Sequence, residues 1–307
     1  MASTATSPSP ADIITNAIIA RLEAGVRPWV QPWRPGMGGR PLRATGEPYR
    51  GINCFWLWMV AENHGYTSRS WMTYKQAQVL GAQVREGERS EIAIFYKSYT
   101  KKVESPVTGQ TDDEQRRVLR SYAVFNADQI EGLPPQFYPA LLNAVPPCDT
   151  LPIRAQQFVD GLPAKLHHRG HQAFYDRIDD SITMPPVELF ESRSQWAATL
   201  AHEAGHWSGH PDRLNREFGK KFGDEAYGFE ELCAELTAAA LGADLGLPTE
   251  HLDNHAAYIE SWLRILKKDS RAVLTAAARA EAATGYLLRA SGIDTAQHQT
   301  SPVAEAA

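Results

Sequence analysis

Cysteine is scarce: Cys54, Cys148 and Cys233 are the three in 307 residues, and none sits in a CxxC arrangement. An odd, widely spaced set excludes a disulfide framework and gives no cysteine-ligated metal; it fits a reducing compartment. No run of about 18 apolar residues that could span a bilayer occurs, and residues 1–25 lack a basic leader before an apolar core. The expectation is a cytoplasmic protein without membrane attachment. No internal repeat occurs either. With 43% hydrophobic and 22% charged residues, the chain has the balance of a globular protein with one large or two ordinary domains. The net charge of -5 hides an asymmetry: residues 1–150 carry 16 Lys+Arg against 14 Asp+Glu, and residues 151–307 carry 15 against 22. Different partners are expected for the two halves.

Residues 1–10 are small and Ser/Pro-rich and are expected to be disordered. Ile13, Ile14, Ala17, Ile18 and Leu22 then follow helical spacing, with Gly25 as the stop. From Arg27 to Gly51 the chain is rich in Pro, Gly and Arg, and its two tryptophans argue for a functional loop over a plain linker. Short helices are expected at 53–63 and 73–81, the second opened by Thr73, and paired strands at 91–103 and 116–130 about a polar turn. A proline-punctuated stretch, 136–152, reads as the linker between a domain at 11–135 and another at 153–290. In the second, a helix at 154–161 and two short strands in 173–186 precede helices at 192–205, 229–245, 248–268 and 270–289. Residues 291–307 read as a flexible tail. The fold class expected is α+β in two domains, mixed α/β first and mainly helical with a small sheet second.

The sharpest motif is His202-Glu203-Ala204-Gly205-His206. Residues four apart share a helix face, so His202 and His206 aim two imidazoles at one point, while Glu203, offset by about 100°, can reach a water in the open position of a metal ion. This is equipment for hydrolysis: Glu203 would be the general base, and the ion zinc, with another divalent metal such as manganese as the alternative. Two residues compete as third ligand. HEAGHWSGHPD matches HExxHxxGxxD, resembling metzincins that end on an aspartate, and offers Asp212. Downstream, Glu231 and Glu235 lie four apart in FEELCAELTAAALGADLG, resembling the acidic helix of gluzincins, where the first acid binds metal and the second orients a ligating histidine. Glu231 with Glu235 is preferred, because a carboxylate in so apolar a helix needs a reason to be there. Glu230 is expected to rotate off that face into solvent. His210, and the LHHRGH cluster of His167, His168 and His171, are weaker ligand candidates. The strand end at Ile182–Pro185 could pair with an extended peptide, and plain core packing accounts for it equally well.

Five of the eight tryptophans fall before residue 130. The candidate contacts to nucleic acid are Arg27, Trp29, Trp33, Arg34, Arg50, Trp71, Tyr74, Lys75, Lys97 and Tyr99. Rings for stacking beside cations for phosphates suit single-stranded DNA without sequence preference. Core filling is the competing explanation, expected to hold for Trp56 and Phe95.

The order of these segments resembles the ArdC-type antirestriction proteins of conjugative plasmids. The resemblance rests on RPWVQPW (27–33), YRGIN (49–53), SWMTYKQAQVLGAQVREGE (70–88) and YAVFNADQIEGLP (122–134). In the second half it rests on HEAGHWSGHPDRLNR (202–216) and EAYGFEELCAELTAAALGADLG (225–246). It implies an N-terminal domain that binds single-stranded DNA, a C-terminal zincin-like metallopeptidase domain, and protection of incoming plasmid DNA during conjugation. It also favours Glu231, because the family pattern does not require an acid where Asp212 stands. A metallopeptidase that needs no DNA, and a DNA-coating protein with a structural metal, are the other readings.

Overall fold

The computed structural model describes residues 8–29, 38–104, 111–138, 150–219, 224–247 and 256–293. The expected linker therefore lies mostly outside the described residues, as do Trp33 and Arg34. Helix α1 (Pro10–Glu23) starts earlier than expected, because Ser9 and Asp12 form a reciprocal cap and Pro10 occupies the first turn. β1 (Leu42–Arg43), α2 (Ile52–His64), β2 (Ser70–Met72), α3 (Tyr74–Val79) and β3 (Gln83–Val84) follow. Thr73 caps α3, as expected, through a hydrogen bond from the Gln76 backbone. β4 (Glu91–Glu104) and β5 (Thr111–Asn126) make a long antiparallel hairpin, and β6 (Ile130–Glu131) returns to pair with β3. The main sheet runs β1-β2-β5-β4, with β1 and β2 parallel.

The second half opens with α4 (Ile153–Gly161), β7 (Lys165–His168), β8 (Phe174–Asp176) and β9 (Ser181–Met184). These strands form a sheet in the order β7-β9-β8. β9 is thus the central strand, buried along its length, so Ile182–Met184 cannot take an added peptide strand; the edges are β7 and β8. Four helices follow: α5 (Arg193–Trp207), α6 (Glu225–Leu245), α7 (Ala256–Lys268) and α8 (Ala272–Ala290). α6 gains a turn over the expected 229–245 because Asp224 caps it through the Tyr227 backbone. The expected flexible tail begins too early, since Ile293 is 5% exposed and packs in the core.

The two halves do not have separate cores. One cluster joins Ile14 and Ile18 of α1 and Trp56 of α2 to Leu232 and Leu236 of α6, Trp262 of α7 and Val273 of α8. A second lies between α4, the β7-β9-β8 sheet, α5 and the ends of α6 and α8, and a small third under α3 and β6. The joint is also ionic. Arg40 is 3% exposed and grips both Asp244 oxygens at 2.8 and 2.9 Å and Glu281 at 2.7 Å. A buried fork pairs with two carboxylates at once, and removing it leaves both without their counter-charge. Arg40→Met is therefore expected to lower unfolding stability by about 3 kcal/mol or more, checked by urea denaturation at neutral pH. A change below about 1 kcal/mol would show the pair to be replaceable.

Candidate metal centre

α5 and α6 build the site, and Gly205 sets their spacing. A Cβ there would lie 3.3 Å from both the Cα and the carbonyl oxygen of Ala234, so the backbones press together where a larger residue would push them apart. That approach brings Glu231 onto the imidazoles: its carboxylate lies 3.7 Å from His202 Nε2 and 3.5 Å from His206 Nε2. Ligand atoms of His202, His206 and Glu231 all lie within 4.8 Å of one another, and this is the sole such grouping among the described residues. A tetrahedral site with bonds near 2.1 Å separates its ligand atoms by roughly 3.4 Å, so a zinc-sized ion fits with small adjustment. Two imidazoles and a carboxylate suit zinc and manganese alike.

Each histidine is backed on its other nitrogen. His202 Nδ1 lies 3.7 Å from Glu235, the residue expected to orient it. His206 Nδ1 lies 3.4 Å from Glu230, which spacing had placed in solvent. Glu230 is instead 2% exposed, and Arg216 holds its two oxygens at 2.9 and 2.7 Å. Arg216 also donates to Ser208 Oγ and to the Gly205 carbonyl. Its contact with Glu230 explains why a third acid can sit in so apolar a helix. Gly209 gives room for it, since a Cβ there would meet Arg216 Nη2 and Phe218 Cζ at 2.8 Å.

Burial works against the charged form of His206, but the charge of Glu231 and hydrogen bonds to Glu230 and Glu231 outweigh it and push the pKa up to about 9. His202 moves the same way against its own burial, through Glu231 and Glu235, and Glu231 falls well below the usual carboxylate range on the charge of His206. The carboxylates around them thus favour the charged form of both imidazoles. Tyr227 and Tyr258, whose hydroxyls are 3.1 Å apart, have pKa values raised first by burial, with Glu231 contributing to both. Neither tyrosine stood out in the sequence. Glu203 is 8% exposed, and its charge acts on His202 and on Tyr258.

The other candidates are placed elsewhere. Asp212 has a side chain 90% exposed, pairs with His210 at 3.6 Å, and does not join the cluster. His167 lies 3.4 Å from Asp179 and His168 stacks on Trp196, so the LHHRGH histidines do not converge. A cavity of about 630 Å³ is lined by Phe174, Tyr175, Asp176, Arg177, His210, Arg216 and Phe218 among others, with the Phe218 ring centroid 6.4 Å from that of His206. Trp29 and Trp71 are each 1% exposed and offer no stacking face: Trp29 packs edge-on against Trp262, and Trp71 against Tyr66. They are core residues, since a large ring gains more from burial than from an exposed position. Arg27 points inward to Glu235 at 2.7 Å. Tyr74, Lys75, Lys97 and Tyr99 are exposed and Arg50 is half-buried.

A helix bearing HExxH, closed by a glutamate from the next long helix, is the arrangement of a zincin-like metallopeptidase domain, and the family model so described matches residues 153–279. A second model, the N-terminal domain of anti-restriction factor ArdC, matches residues 9–125. The chain belongs to the ArdC family of antirestriction proteins. It is 38% identical to the antirestriction ArdC protein of plasmid R388. The metal-free crystal structure of that protein superposes with a TM-score of 0.80, covering 94% of this chain and 100% of that one. The Mn(II)-bound structure gives 0.74 over 92% and 98%. The protein y4eC of Sinorhizobium fredii is 37% identical over 90% of this chain and 91% of its own length. DNA primase TraC of Escherichia coli is 38% identical over 90% of this chain but only 26% of the primase, so the chain spans about a quarter of it.

Because His206 holds a proton up to about pH 9 when no metal is present, a metal ion must displace it. Metal binding at pH 7 is expected to release protons, and apparent affinity to rise with pH up to about 9. Calorimetric titration with Zn2+ in buffers of different ionisation enthalpy measures the release. A release of zero would contradict the protonated cluster.

Proposed function

We propose that this protein protects incoming plasmid DNA from the recipient's restriction enzymes during conjugation, acting in the cytoplasm by binding single-stranded DNA and carrying a zinc-dependent peptidase centre. The family relationship along nearly the whole chain supports the antirestriction role. The observation that carries the peptidase half is the meeting of His202, His206 and Glu231 beside Glu203. A divalent ion held by those three residues would polarise a substrate carbonyl and acidify the attacking water. Glu203 is the residue that would accept a proton from the attacking water and return it to the leaving amine. Tyr227 and Tyr258, kept protonated by burial, can donate to the carbonyl oxygen as charge develops there. The cavity that Phe218 borders gives a substrate side chain a seat of mixed character, with the Phe174 and Phe218 rings beside Asp176 and Arg177.

For DNA, the supporting feature is the β4–β5 hairpin. Residues 96–100 of β4 are exposed on both faces, presenting Tyr96, Lys97 and Tyr99 with Arg120 of β5 alongside. Rings and cations alternating along an exposed ladder suit a single strand. Tyr74 and Lys75 of exposed α3, and Trp33 and Arg34 outside the described residues, complete the proposed surface. Among the described residues no helix is long and apolar enough to cross a membrane.

Glu203→Gln separates the two activities. The variant is expected to bind a fluorescent oligonucleotide as the parent does, single strand over duplex and more weakly as salt rises, while losing cleavage of casein or a peptide library. Antirestriction retained in this variant but lost on charge reversal of Lys97 and Arg120 would assign protection to DNA coating and leave the peptidase a separate activity. Salt-independent or absent oligonucleotide binding would remove the DNA half.

A further inference from the structure

We infer that Arg27 and Trp29, though they belong to the half of the chain whose resemblance implies DNA binding, are positioning residues of the metal centre: they hold Glu235, and Glu235 holds His202. The inference rests on His202, His206 and Glu231 being the metal ligands.

The geometry divides the Glu235 carboxylate between two tasks. Oε1 accepts from Arg27 Nη1 at 2.7 Å and from Trp29 Nε1 at 3.2 Å, and Oε2 faces His202 Nδ1 at 3.7 Å. Two donors on Oε1 restrain the carboxylate with Oε2 turned toward His202 Nδ1, which puts a negative charge behind the imidazole while Nε2 faces the ligand cluster. Glu235 is 1% exposed on an alanine-rich helix, where an ionised acid needs a cation, and Arg27 supplies it. The donors are themselves fixed. The Trp29 ring is buried edge-on against Trp262 of α7, with centroids 5.2 Å apart. The chain leading to Arg27 is pinned where the Gly25 and Val26 backbones donate to the Leu22 and Arg21 carbonyls at the end of α1. The peptidase centre is thus completed by a segment that precedes the zincin-like region by more than a hundred residues.

The test is titration of the metal-free full-length protein with Co2+, followed by its visible absorption, with competition by a chelator for affinity. Arg27→Met is expected to weaken binding roughly 10- to 100-fold, the range for residues behind a metal ligand. Arg27→Lys should recover part of the loss. Trp29→Phe, which removes the N–H together with the five-membered half of the buried indole, should weaken binding in the same direction by more than the modest loss of stability that shrinking a core ring brings to the metal-free protein. Oligonucleotide affinity should be unchanged in all three. Parental cobalt affinity in both Arg27→Met and Trp29→Phe overturns the inference, as does loss of oligonucleotide binding with cobalt binding intact, which would make Arg27 a DNA contact. His202→Ala and His206→Ala serve as controls: if they bind cobalt as tightly as the parent, the ligand assignment itself fails.

Discussion

The close approach of α5 and α6 at Gly205 is the constraint on which the rest of the site depends. It lets a glutamate from one helix stand between two imidazoles of the other, and so places several ionisable groups where water is excluded. Such groups stay charged only if each has an answer. The three buried glutamates of α6 find different ones: Glu231 faces both histidines, Glu230 is held by Arg216, and Glu235 is held by Arg27 and Trp29. The second-layer contacts are thus consequences of putting three acids into an apolar helix.

The same need for counter-charges ties the halves of the chain together. Arg40 answers Asp244 and Glu281, Arg27 answers Glu235, and the tryptophans between α1 and α7 close one hydrophobic cluster over both. The N-terminal region, whose exposed hairpin is the proposed nucleic-acid surface, therefore also supplies core and counter-ions to the zincin-like region. Physical coupling between the two is built from buried groups, which salt screens far less than it screens the surface.

Periodicity and spacing made much of this legible. The i, i+4 histidines, the i, i+4 acids, the Thr73 cap and the hairpin strands all follow from local rules that tertiary packing did not override. What could not be read was anything decided by a partner distant in sequence. Glu230 looked solvent-facing because its partner Arg216 lies in a loop, and Trp29 and Arg27 looked like DNA contacts because nothing nearby reveals Trp262 or Glu235. β9 looked free because its second neighbour, β7, pairs in parallel and is separated from it along the chain by β8. Composition alone does not tell a stacking ring from a buried one.

The chemistry of the site turns on one ion being held by His202, His206 and Glu231. Crystals grown with Zn2+ or Mn2+, with anomalous diffraction recorded at the metal's absorption edge, test it most directly. The predicted result is a single strong peak about 2.1 Å from Nε2 of both histidines and from a Glu231 oxygen. A peak that takes Asp212 as its third protein ligand, or no peak between α5 and α6 at saturating metal, would contradict it.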